Sequence, residues 1–315
     1  MQTAAMSASV PATTRLPVMV GVDGVRGRLA TVELAAAEAR RRQVPLTIVH
    51  VWPGRYAGPF RSRGVVPTEQ DGRRVLDIAQ QRVHRVDADI QVATRLIDGD
   101  SANTLVRCTA DAQLLVVGHR DDVLSRSGWG STTAYLAHHA ACPLLVDRGE
   151  GRRTGPVVLA ASARGSATET VACAFEQAEL RRAPLVAVHV CTVADQPGLT
   201  PTVAGYAKAR DEADRNLAAA LAEWRERFPE VTVSRLVLHD LDVAYTLERA
   251  SCRGQLFVAG AGRHGRFAEL LYGSRDLTML RTTACPVLLV PPSWRGAAGR
   301  SAPEPTEQRS GGGTG

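Results

Sequence analysis

A chain of 315 residues, 44% hydrophobic and 22% charged, is long enough for two domains that each bury a core. Its apolar runs all fall short of the ~20 residues a bilayer crossing needs, and Met1–Leu16, rich in Ala, Ser and Thr, lacks the apolar centre of a secretory signal, so a cytoplasmic protein with a disordered leader is expected. The net charge of +6 rests on 38 basic residues, of which only Lys208 is lysine; these are dispersed and aromatics are 4%, which argues against nucleic acid as a partner.

In chain order, Val18–Val22 is an apolar run suited to a strand buried on both faces, followed by a tight turn at Asp23-Gly24. Leu29–Arg42 carries apolar residues at helical spacing and ends in three arginines, which suit the negative end of a helix. Leu46–Val51 reads as a second buried strand, Trp52–Pro67 as a Pro/Gly-rich loop, and Thr68 to about Val86 as a second helix. Ile90–Ile97 alternates as a third strand, Ser101–Ala110 makes a short helix, and Leu114–Val117 a fourth strand. After the loop Gly118–Gly130 come a helix at Ser131–Ala140 and a last strand at Pro143–Val146. Strands alternating with helices predict an α/β fold with a parallel sheet covered on both faces.

The run Asp147–Gly155 is charged and glycine-rich and marks a domain boundary, after which the pattern returns. Pro17–Gly21 matches Pro156–Ala160, Pro45–Val51 matches Pro184–Val190, Leu114–Gly118 matches Leu256–Gly260, and Ala141–Val146 matches Ala284–Leu289. The offset is 139 at the first strand and 143 at the last. This regularity identifies an internal duplication of a ~140-residue α/β unit, with domains at 17–147 and 156–291, a linker at 148–155 and a disordered tail at 292–315.

The stretch Val258–Ser274, VAGAGRHGRFAELLYGS, reads as a strand end, a loop rich in glycine and cations, and Gly273-Ser274 opening a helix. Glycine lets backbone amides approach a ligand, and amides at a helix N-terminus are unpaired donors in a positive field, so the arrangement suits phosphate. Gly260, Gly262 and Gly265 also spell G-x-G-x-x-G. As a dinucleotide fingerprint this run follows the wrong strand and opens no helix directly, which argues against NAD.

The turn Val20-Gly21-Val22-Asp23-Gly24, His50-Val51, Leu115-Val116-Val117-Gly118, a G-x-x-G-x9-G-[S/T] loop, and Cys142-Pro143-Leu144-Leu145-Val146 together resemble the universal stress protein family, here as a tandem pair. The resemblance implies two flavodoxin-like domains of the adenine-nucleotide α-hydrolase-like class. Each would hold a five-stranded parallel sheet of order 3-2-1-4-5 and, in some members, ATP or a related nucleotide with Mg beyond the carboxyl ends of the strands. Carried over by position, repeat 1 offers Asp23, Val51, Val117, Gly118, Gly130 and Ser131. Repeat 2 offers Ser162, Val190, Ala259, Gly260, Gly262, Arg263, Gly265, Arg266, Gly273 and Ser274.

Both sets depart from the family pattern. The first loop is one residue short, with Asp121 in the place of its second glycine and Asp122 beside it, so repeat 1 is read as impaired. The second loop has full spacing, with Arg263 at that glycine and His264 and Arg266 nearby, cations suited to phosphate, but Ser162 replaces the aspartate.

The expected function is an ATP-binding or adenine-nucleotide-binding stress-response or signalling module. The alternative is a scaffold acting through protein contacts, its repeats paired along edge strands near Pro143–Val146 and Pro286–Val290. A further homodimer stays open. No enzyme motif occurs, and slow ATP hydrolysis would have no identifiable base. His50 and His189 read as structural, His138-His139 as helix-end residues rather than metal ligands, and Asp98, Asp100, Asp240 and Asp242 as caps or turn residues. Six cysteines without C-x-x-C spacing read as buried thiols in a reducing compartment.

Overall fold

A computed structural model describes residues 15–23, 29–52, 68–118, 131–148, 152, 154–162, 168–191, 202–239, 243–261 and 283–296. Repeat 1 runs β1 (Val18–Val22), α1 (Leu29–Arg42), β2 (Leu46–Trp52), α2 (Glu69–Val86), β3 (Val92–Asp98), α3 (Ser101–Cys108), β4 (Leu114–Gly118), α4 (Ser131–His139) and β5 (Leu144–Asp147). Repeat 2 runs β6 (Val157–Ala160), α5 (Thr168–Arg181), β7 (Leu185–Cys191), α6 (Val203–Arg227), β8 (Val233–His239), α7 (Val243–Ser251), β9 (Leu256–Gly260) and β10 (Val287–Val290).

The strands form one sheet of ten in the order β3-β2-β1-β4-β5-β10-β9-β6-β7-β8. Each half has the expected order 3-2-1-4-5 and is parallel within itself. The expectation of two separate five-stranded sheets is modified at the centre. There β10 pairs antiparallel with β5, Val287 opposite Val146 and Leu289 opposite Leu144. Those two strands are buried throughout, and leaving either as an open apolar edge would invite aggregation. The pairing expected between the two Cys-Pro-led strands is therefore what joins the halves.

Alternation along the strands sorts the core into two layers. Val18, Val20, Leu114, Val116, Val157, Leu159, Leu256 and Val258 face α1, α2, α5 and α6 in one continuous cluster spanning both repeats. Met19, Leu115, Val117, Val158 and Phe257 face α3, α4 and α7 in the other.

Helix starts follow local chemistry. Thr68 and Asp71 make a reciprocal capping box on α2, and Asp100 caps α3 by accepting from the Asn103 amide at 2.9 Å. Asp240 and Asp242 lie outside the described residues. The short helix expected to reach Ala110 ends at Cys108 and tightens into a 3-10 turn at Thr109–Asp111.

Several stabilising contacts occur twice. Gln113 donates to the Leu16 carbonyl and Gln255 to the Gly155 carbonyl, each at 2.6 Å. Thr109 Oγ1 accepts from the Ala141 amide at 2.9 Å, and Ser251 Oγ from the Ala284 amide at 3.2 Å, fixing each turn into the last strand.

Where α1 and α5 meet, Glu38 is fully buried and accepts from Arg41, Arg42 and, across the repeats, Arg181. Burial pushes the Glu38 carboxyl up, but Arg181, then Arg42 and Arg41, outweigh it and hold it at about 2. Gln177 stands at the matching place in α5 and accepts from Arg181 in the same i,i+4 manner.

Burial continues at both ends of the two repeats. Leu16 is buried, and Trp294 is 3% exposed within the layer shared by both repeats.

Candidate crevices at the carboxyl ends of the strands

In repeat 1, β2, β1 and β4 are parallel neighbours, with Val22 opposite His50 and Gly21 opposite Val117. Their carboxyl ends thus bring Asp23, Val51, Val117 and Gly118 to one edge, at the point where strand order reverses. Open α/β sheets bind ligands there. Asp23 is exposed directly after β1, Val51 and Val117 are buried, and Gly118 is half-buried. Ser131 is the first residue of α4. Gly130, Asp121 and Asp122 lie outside the described residues.

Repeat 2 builds the same arrangement. The ends of β7, β6 and β9 gather Ser162, Val190, Ala259 and Gly260, with Leu159 opposite Val258. Ser162 and Gly260 are half-buried, Val190 and Ala259 buried. A Cβ on Gly260 would stand 2.9 Å from Thr170 Oγ1, so only glycine keeps the β9 tip this close to α5. Gly262, Arg263, Gly265, Arg266, Gly273 and Ser274 lie outside the described residues, as does His264.

Because β5 and β10 run antiparallel, the strands of the two repeats deliver their carboxyl ends to opposite edges of the sheet. Each crevice is served by residues of its own repeat.

The two crevices differ in one buried group that sequence matching left in the boundary region. Asp147 ends β5 beside Gly118 in the register, is 7% exposed, and accepts from Thr31 Oγ1 at 2.6 Å. Repeat 2 keeps the threonine as Thr170 but has Val290 beside Gly260. The signal was present as a charged residue closing an otherwise apolar strand. As the first residue of the charged, glycine-rich run DRGEGRRTG it reads as part of the domain boundary.

His50 and His189, read as structural, donate ring hydrogen bonds at the strand tips, to Val22 O and Ala161 O. His138 and His139 are exposed at the end of α4, with the His139 ring 4.3 Å from that of Tyr135.

The universal stress protein family model matches residues 15–148 and 154–291, one match per repeat. A universal stress protein of Mycolicibacterium smegmatis is 31% identical over 299 residues, covering 90% of this chain and 99% of its own. One of Mycobacterium tuberculosis is 30% identical over 292 residues, covering 86% of this chain and 96% of its own. A Pseudomonas aeruginosa protein of unknown function shares the fold, with a TM-score of 0.61 at 15% identity over 89% of this chain and 94% of that one.

Proposed function

We infer the function from one premise: this chain belongs to the universal stress protein family, as a tandem of two family domains. On that footing we propose a cytoplasmic stress-response or signalling module that binds ATP or a related adenine nucleotide in the crevice of repeat 2, repeat 1 being impaired. We assign it no chemistry of its own.

The observation that carries this reading is the difference between two otherwise matching crevices. Beside the glycine that ends the fourth strand, repeat 1 holds the buried acid Asp147 and repeat 2 the apolar Val290. An acid one or two strand spacings, about 5–10 Å, from a phosphate opposes each phosphate charge by roughly 2–3 kcal/mol at an effective dielectric near 20. The loop sequences lean the same way, with Asp121 and Asp122 in repeat 1 against Arg263 and Arg266 in repeat 2. In the bound state Val190 and Ala259 would pack on the base. The Gly260–Ser274 loop would hold the phosphates, with Mg neutralising part of their charge.

Calorimetric titration with ATP and Mg, on the wild type and on Arg263→Asp/Arg266→Asp, tests it. The expected result is one micromolar site per chain, lost in the variant. One site unaffected by the variant moves the assignment to Asp23 and repeat 1. No heat at millimolar ATP, with an unchanged melting temperature, replaces it by the scaffold reading, in which the paired repeats act through protein contacts.

A further inference from the structure

Each repeat fixes the tip of its first strand with the same side chain. His50 Nδ1 lies 2.7 Å from the carbonyl oxygen of Val22, and His189 Nδ1 lies 3.1 Å from that of Ala161. A carbonyl only accepts, so in both rings Nδ1 carries the proton. Each bond spans 28 residues. Both rings are half-buried at the end of the second strand. In repeat 1 the ring is also backed by α2, where a Cβ on Gly72 would come within 3.2 Å of His50 Cδ2. Glycine at that position leaves room for the ring beside α2.

The residue after each accepted carbonyl belongs to a candidate crevice: Asp23 follows Val22, and Ser162 follows Ala161. A trans peptide is planar, with its C=O and N–H pointing opposite ways, and the described peptides are all trans. Holding the carbonyl on the ring therefore turns the next N–H away from the second strand. In repeat 1 it points toward β4 and in repeat 2 toward β9, the side on which strand order reverses.

We propose that His50 and His189 are positioning residues: through the Nδ1–H bond to the strand tip, each sets the peptide that presents Asp23 or Ser162 to its crevice. Neither histidine touches the ligand in this arrangement; each acts through the peptide it holds. The device is kept in repeat 2 although aspartate has given way to serine there, so it serves the geometry of the tip rather than one side chain. Its consequence for affinity rests on the nucleotide reading of repeat 2, whereas the hydrogen bond itself does not.

Two variants of the full chain separate the role from general packing. In His189→Asn the side-chain amide N–H stands in for Nδ1–H, and in His189→Leu the volume is kept but the donor is lost. Ring 15N spectra of the wild type are expected to show the Nδ1–H tautomer at both histidines, and the Nε2–H form at either overturns the proposal. In ATP titrations His189→Leu is expected to bind about tenfold or more weakly, a single hydrogen bond's worth, and His189→Asn within about threefold of wild type. No loss in His189→Leu, or equal loss in both, overturns it. A wild type that binds no ATP refutes the nucleotide reading instead. The decision then passes to amide exchange at Ser162, expected to quicken about tenfold in His189→Leu and not in His189→Asn. Exchange unchanged in His189→Leu overturns the proposal.

Discussion

Replacing Glu38 by glutamine removes the charge at the contact between α1 and α5 while keeping the shape of the side chain. Glu38 is 0% exposed, and the Arg181 and Arg42 side chains around it are 4% and 9% exposed. A carboxyl held at about 2 in the fold against 4.5 outside it contributes about 3 kcal/mol at neutral pH. Burial pushes the Arg181 guanidinium down to about 10 despite Glu38, so it stays charged at pH 7 and, without Glu38, stands uncompensated. Loss of one partner from a buried pair costs about 3–5 kcal/mol. Because glutamine still accepts one hydrogen bond, the lower figure applies.

Urea denaturation at pH 7 is expected to show this loss as a lower midpoint, followed by separate unfolding of the two repeats as their contact weakens. The sign with pH follows from a lowered folded-state value. The contribution of Glu38 is complete above pH 4.5 and is lost as pH falls toward 2, so wild type and variant converge in that window. Glu176, which burial pushes up to about 7 against Arg42 and Arg227, titrates at higher pH, outside this window. A difference below about 1 kcal/mol at pH 7, or one that persists at pH 2, refutes the reasoning.

Removing the twin hydroxyls tests whether the repeats share their local wiring. Thr109→Val and Ser251→Ala each strip the acceptor from a backbone amide, at Ala141 and Ala284. Each is expected to cost about 1–3 kcal/mol by thermal unfolding, and the two losses should add because the sites lie in different repeats. Cys252 is the one exposed thiol of six, while burial pushes Cys285 up to about 12 and Cys173 higher still. A maleimide should label one cysteine per native chain, and Cys252→Ser should reduce that to none.

Periodicity and repetition made the sheet readable. Matching two Cys-Pro-led strands at an offset of 143 implied the duplication, and the apolar edge each would otherwise expose implied the pairing now seen between β5 and β10. Interactions that cross the duplication were not readable. Glu38 and Arg181 sit 143 residues apart on helices whose charge looks solvated in sequence, and nothing local marks one carboxylate as buried. Trp294 follows a Pro-Pro-Ser run that resembles the start of a tail, yet it is buried in the shared core layer. The crevice was half legible. Strand ends such as Val190 and Gly260 follow from motif order, but Asp147 and the ring bonds of His50 and His189 depend on which backbone atoms lie beside them in space.

The antiparallel seam between β5 and β10 also changes what dilution and mutation can do to this molecule. Two separate chains meeting along that seam would part at low concentration, and any substitution would appear on both sides of it by symmetry. In one covalent chain the second half is always present, at the effective concentration that the linker sets. Each half can then drift alone. Asp147 with its counterpart Val290, Asp23 with Ser162 and Glu38 with Gln177 are differences that a symmetric pair of identical chains could not hold. Each repeat is thereby free to change its own crevice while still serving as the permanent structural partner of the other.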